Sequence, residues 1–256
     1  MVPIEPESSV TDQTSIKHPP SVTTRLFVIV SISGLIAGAI SIIAGEAILK
    51  RYEGELFPAL KIRPSADDLA RFRDAHVYSA TLIYATLGGL FGLAMGLAGA
   101  FTRRSRLSGI LGATLALVVG TVVVAATTFA FVSIFYIWHD PQSEDMLLPL
   151  LTHGAIWGAV GASGGLIFGL TLEHRRNYRS TLVGGLIGGI IATLVYDLVG
   201  ALAFASSKTD QPVSAALQTR AMAQLLVAVL AAFGAVIALR QSESNTSPSP
   251  QTLEPE

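Results

Sequence analysis

The sequence contains no cysteine, which rules out a disulfide framework, a thiolate metal site and a cysteine nucleophile. Charge is scarce as well. Asp, Glu, Lys and Arg make up 14% of its 256 residues, against about 25% in an ordinary soluble domain. The two signs nearly cancel, with 17 basic and 18 acidic residues for a net −1. No basic surface for a nucleic acid follows from that balance, and no nucleic-acid partner is expected. A cleavable leader is not evident either. Residues 1–23 hold Pro3, Pro6, Pro19 and Pro20 among polar and acidic residues, without a basic segment leading into an apolar one.

Apolar residues and glycine are abundant instead. Hydrophobic residues reach 51%, 24 glycines are present, and the mean hydropathy is +0.57. A membrane span needs about 20 apolar residues at 1.5 Å rise each. Six stretches meet that length, near 26–49, 76–101, 107–138, 147–172, 182–205 and 221–239. The expected fold is an all-α integral membrane protein: a bundle of six glycine-rich transmembrane helices with short loops and disordered termini. Residues 24–240 form its transmembrane domain. Residues 1–23 and the Ser- and Pro-rich 241–256 are tails too poor in apolar residues to fold alone. The third stretch is too long for one upright span, so it must tilt, bend near Gly120–Thr121 or run on into water.

Arginine sets the expected orientation. The turn after the second span holds Arg103, Arg104 and Arg106, and that after the fourth holds Arg175, Arg176 and Arg179. The connection after the third, His139 to Met146, has no Lys or Arg. Basic turns stay in the cytoplasm, which places both tails there and the protein in the cytoplasmic (inner) membrane. The first loop, residues 50–75, runs against this with six basic residues beside five acidic ones. Within it, Ser65 ahead of Asp67 and Asp68 reads as a helix start with an acidic first turn. That helix either rests on the headgroups and runs into the second span, or forms a lid over an outward-facing site.

Small residues recur at four-residue spacing. Gly88, Gly92, Gly96 and Ala100 mark the second span, Gly161, Gly165 and Gly169 the fourth, and Gly185 and Gly189 the fifth. Such stripes let helices approach closely in lipid, within one chain or between copies as a homo-oligomer. Spans two and three resemble spans four and five as helical hairpins with arginine turns. Superposing the paired arginines matches Gly112 with Gly184 and Thr121 with Thr193, a parallel rather than an inverted repeat.

The fifth span carries one formal charge, Asp197, on the stripe of Gly185, Gly189 and Thr193. A carboxylate inside a bilayer costs about 2.5–3.5 kcal/mol or more and marks a candidate functional site. Helical rise puts Glu46, His76, His153 and Gln224, the last one turn below Arg220, in the same slab, each from a different span. These five residues form the candidate intramembrane polar site. One use of them is a pocket for proton-coupled transport of a solute or ion, with Asp197, Glu46 and His153 carrying protons. The other is structural, with each group capping or bonding a neighbouring helix. No HExxH or similar ligand spacing is present, so neither a metal nor another cofactor is expected.

Gly161-Ala162-Ser163-Gly164 in the fourth span resembles the GxSG serine segment of rhomboid intramembrane proteases. That resemblance implies a histidine on the sixth span as the base. Here neither the fifth nor the sixth span contains one, and a serine without its base is a weak nucleophile. No catalytic residues are assigned. The expected function is a non-catalytic structural or interaction component of the membrane, with transport as the alternative.

Overall fold

The computed structural model describes residues 22–56, 65–101, 106–140, 146–172, 178–204 and 207–246. The tails (1–21 and 247–256), positions 57–64 of the first loop and most of both arginine turns lie outside them. Six helices account for nearly all of the rest: α1 Val22–Leu56, α2 Ala66–Ala100, α3 Arg106–Trp138, α4 Leu147–Thr171, α5 Tyr178–Ala203 and α6 Leu217–Thr246. Each is long and apolar enough to cross a membrane. The protein is an all-helical membrane bundle.

Several helices outrun the apolar stretches that define them. The helix start expected at Ser65 is real. Ser65 is extended and closes a capping box, its hydroxyl accepting from the Asp68 amide and its own amide donating to the Asp68 carboxylate. Two orphan donors of the first turn are satisfied this way. Helix α2 then runs unbroken from this polar turn into the span. Helix α3 stays continuous through Gly120 and Thr121, where the Thr121 hydroxyl donates back to the Leu117 carbonyl. Helix α6 continues to Thr246, past the boundary expected at 240, because no Gly or Pro interrupts 235–246 to stop it.

The packing has a simple plan. Helices α2, α4 and α6 run in one direction and form the inner set. Helix α1 lies between α2 and α6, α3 between α2 and α4, and α5 between α4 and α6. Burial follows this plan, with 67% of the apolar window buried in α2 and α4 against 28% in α1 and α3. The rest of the outer helices faces lipid, through residues such as Ile43, Leu115 and Leu194.

Glycine makes the seams. A methyl group at Gly92 would stand 2.6 Å from the Ala116 carbonyl oxygen, and one at Gly88 2.7 Å from that of Gly120. In the second hairpin, Gly161 meets Gly185 and Gly189 meets the Trp157 carbonyl just as closely. Lipid supplies no hydrophobic drive between helices, so this close backbone approach is what packs them. The glycines of these stripes therefore meet neighbouring helices of the same chain.

The seams also correct the repeat register. The close pairs are Gly88–Gly120 and Gly92–Ala116 in the first hairpin, and Trp157–Gly189 and Gly161–Gly185 in the second. The single gapless shift that carries the first set of pairs onto the second is 69 residues, not the 72 obtained by superposing arginines. Contact between backbones, rather than turn composition, defines the equivalence. On this register Tyr84 corresponds to His153, and Thr128 to Asp197.

Candidate functional site

The end of the bundle where α2, α4 and α6 begin holds all five residues singled out above. It does not gather them into one cluster. They divide into a His153–Asp197 pair between α4 and α5, a Glu46–Arg220 pair with Gln224 between α1 and α6, and His76 against α3.

His153, one turn and a half into α4, is 1% exposed. Its Nδ1 lies 3.2 Å from Asp197 Oδ1 on α5, and its Nε2 lies 3.1 Å from the Gln211 carbonyl oxygen. The i, i+4 spacing of α4 lays the Trp157 ring on the imidazole, centroids 5.2 Å apart. Tyr196 closes the other side edge-on at 5.6 Å from His153 and 5.1 Å from Trp157. Trp157 Nε1 is buried. The Tyr84 hydroxyl oxygen faces this N–H, while the hydroxyl proton goes to the Pro212 carbonyl at 2.7 Å.

Glu46 ends an apolar run on α1 and reaches across to Arg220 on α6. The contact is bidentate, Nε to Oε1 at 2.7 Å and Nη2 to Oε2 at 2.8 Å. This planar fork is the strongest form of the pair. Arg220 Nη1 also donates to the Ser214 and Ala215 carbonyls, at 3.0 and 2.6 Å. One turn further in, Gln224 packs against Gly45 and is 4% exposed, its Oε1 without a partner. Ser41 Oγ on the facing helix is also buried and unpartnered.

His76 lies apart from both pairs. Its Nδ1 contacts the Phe72 carbonyl of the preceding turn at 2.8 Å, and its ring packs on Phe72 and on Tyr136 of α3. A shallow groove beside it, between α2 and α3, is lined by Arg73, Asp74, Tyr78 and Phe129. None of the five candidate residues lines it.

Sequence reasoning missed the element that joins these groups, the α5–α6 connection. Residues 207–216 fold back over the helix ends. Ala215 donates to the Ser207 carbonyl at 3.1 Å, which ties the loop ends together, as in a compact Ω-loop. Lys208 takes a left-handed backbone, φ 48°, and its carbonyl accepts from Gln211. Pro212 and Ser214 are buried. Successive backbone carbonyls are then claimed by the helices: Gln211 by His153, Pro212 by Tyr84, and Ser214 and Ala215 by Arg220. Tyr84 and His153 stand 69 residues apart, the shift that relates the seam pairs, and each holds the loop from its own hairpin. The one available signal was Arg220, an opposite charge at the depth of Glu46.

Ser163 is buried and donates to the Val160 carbonyl of its own helix at 3.0 Å. Among the described residues, no group of three or more His, Asp or Glu gathers in a metal-binding arrangement. Comparison with known protein families, with characterised proteins and with solved structures returns no match.

Proposed function

We propose that this protein is a non-catalytic structural or interaction component of the inner membrane, with its 207–216 loop facing outward and both tails in the cytoplasm. The observation that supports it is the fate of the ionisable groups. His153 uses both ring nitrogens, Glu46 is held by both oxygens, and His76 is packed into an aromatic seam. Groups committed in this way join helix to helix, and His153 also joins the loop to the bundle. In a bilayer such contacts replace the water that an exposed polar group would need.

One observation favours a second reading, proton-coupled transport. A buried histidine–carboxylate pair lies directly beneath a loop that would gate it, and such pairs line proton paths in membrane proteins. Reconstitution separates the two. If the protein is structural, proteoliposomes carrying it hold a pH gradient as empty vesicles do, and Asp197→Asn changes stability alone. Gradient dissipation that Asp197→Asn abolishes at unchanged protein content would replace the first reading with the second.

A further inference from the structure

The geometry points to a bound proton shared by His153 and Asp197, on which the docking of the 207–216 loop depends. A count of donors leads to it, and neither functional reading above is required. His153 faces an acceptor at each ring nitrogen, the Asp197 carboxylate at 3.2 Å and the Gln211 carbonyl at 3.1 Å. A neutral imidazole has one N–H and can serve one acceptor. Both contacts are hydrogen bonds only if the pair carries one more proton. Either the imidazole is doubly protonated beside a carboxylate, or a protonated Asp197 donates to Nδ1 while Nε2–H serves Gln211. The two forms hold the same number of protons, and the pair is neutral overall.

Removing that proton to solvent leaves a neutral imidazole and a carboxylate with one N–H between two acceptors. If the N–H goes to Asp197, the Nε2 lone pair faces the Gln211 carbonyl and the loop loses its contact to α4. If it goes to Gln211, a lone pair faces the carboxylate. His153 is 1% exposed and Asp197 14%, so little water reaches the imidazole nitrogens to repair either loss. Both contacts of the docked loop therefore need the proton, whereas the released loop does not. By linkage, acid favours docking and rising pH favours release.

The other groups around the pair are accounted for. Helix α2 brings Tyr84, whose hydroxyl donates to Pro212. Helix α5 brings Tyr196, which faces Ser214 and Thr219. Helix α6 brings Arg220, bound by Glu46 of α1. Helix α3 brings Tyr136, which faces Asp210 of the loop.

The absence of cysteine makes the test direct. Val213 packs on the core from the loop while Lys208 is exposed. The maleimide labelling rate of Val213→Cys, divided by that of Lys208→Cys, reports loop release with the thiol's own pH dependence cancelled. From about pH 5.5 to about pH 8.5, across the ordinary imidazole range, this ratio should rise by about tenfold, the effect of losing one buried hydrogen bond. In the Asp197→Asn background it should stay low throughout. The introduced amide N–H then serves Nδ1 and Nε2–H serves Gln211, and no extra proton is needed. A flat ratio in the native background would overturn the inference. So would an equal rise, or a high ratio at every pH, in the Asp197→Asn background. Trp157 fluorescence in a Trp138→Phe chain gives a second readout that needs no loop substitution. It should change over the same range through the stacked imidazole, and the Asp197→Asn chain should show no change. An unchanged native signal would count against a shared proton.

Discussion

Arg220 carries more of the loop's attachment than any other single side chain. It binds Glu46 through two nitrogens and two loop carbonyls through a third. Arg220→Leu should lower stability by about 1–3 kcal/mol, and Arg220→Lys by less, because an ammonium keeps the charge but not the fork. Glu46→Gln should cost less than Arg220→Leu, since the carboxylate side chain is 36% exposed and solvent screens it. Thermal unfolding in detergent measures all three; equal losses for Glu46→Gln and Arg220→Leu would place the weight on the ion pair rather than on the carbonyls. Glycine offers a matched comparison within α4. Gly161 meets the backbone of Gly185, whereas a methyl group at Gly154 would meet nothing within 4 Å. Gly161→Ala should destabilise by about 1–3 kcal/mol through overpacking. Gly154→Ala should be neutral or stabilise by up to about 1 kcal/mol, because alanine is the better helix former.

Among the elements, α2 shows how a span acquires a polar extension. Its first turns carry Asp67, Asp68, Arg71, Arg73 and Asp74, which a bilayer interior would reject. The capping box at Ser65 lets the helix begin in the polar layer nonetheless. Ser65→Ala should cost about 1 kcal/mol of local helix stability. Amide exchange should speed up over 66–70 while the buried part of α2 stays protected. Exchange that rises along the whole of α2 would mean the polar turn and the span unfold as one unit. The two hairpins behave as one element used twice. Both hold backbone against backbone with small residues, and Tyr84 from the first and His153 from the second bond adjacent carbonyls of the loop.

At the scale of the whole molecule, the loop couples helices that share few other polar contacts. Tyr84 on α2 and His153 on α4 bond adjacent carbonyls of one short segment. Once either contact is gone, the segment is looser and the other is worth less. A double-mutant cycle of Tyr84→Phe and His153→Phe should therefore show a coupling of at least about 0.5 kcal/mol, above the scatter expected for independent sites. Additive losses would mean that each helix holds its own carbonyl without regard to the rest of the loop. The inner helices α2, α4 and α6 all start at this end, so the loop lies over the junction of the bundle.

The sequence by itself determined the solvent and the number of crossings. Lipid leaves helices of about 20 apolar residues as the way to satisfy the backbone, and six such runs are plain in the chain. It also determined depth, because a fixed rise per residue converts position into height. That is why Glu46, His76, His153, Asp197 and Gln224 were placed at one end before any packing was known. The helix start at Ser65 was legible too, since a cap is a local device. What only the tertiary structure decided is which of these residues meet. Height says nothing of the rotation of a helix about its axis or of its neighbours, so His153 found Asp197, Glu46 found Arg220, and His76 turned to α3. The repeat register was hidden for the same reason: arginines in a turn need not align, whereas backbones in contact must. The loop over residues 207–216 left the faintest trace of all. It is held through its own carbonyl groups, which every sequence possesses and none advertises.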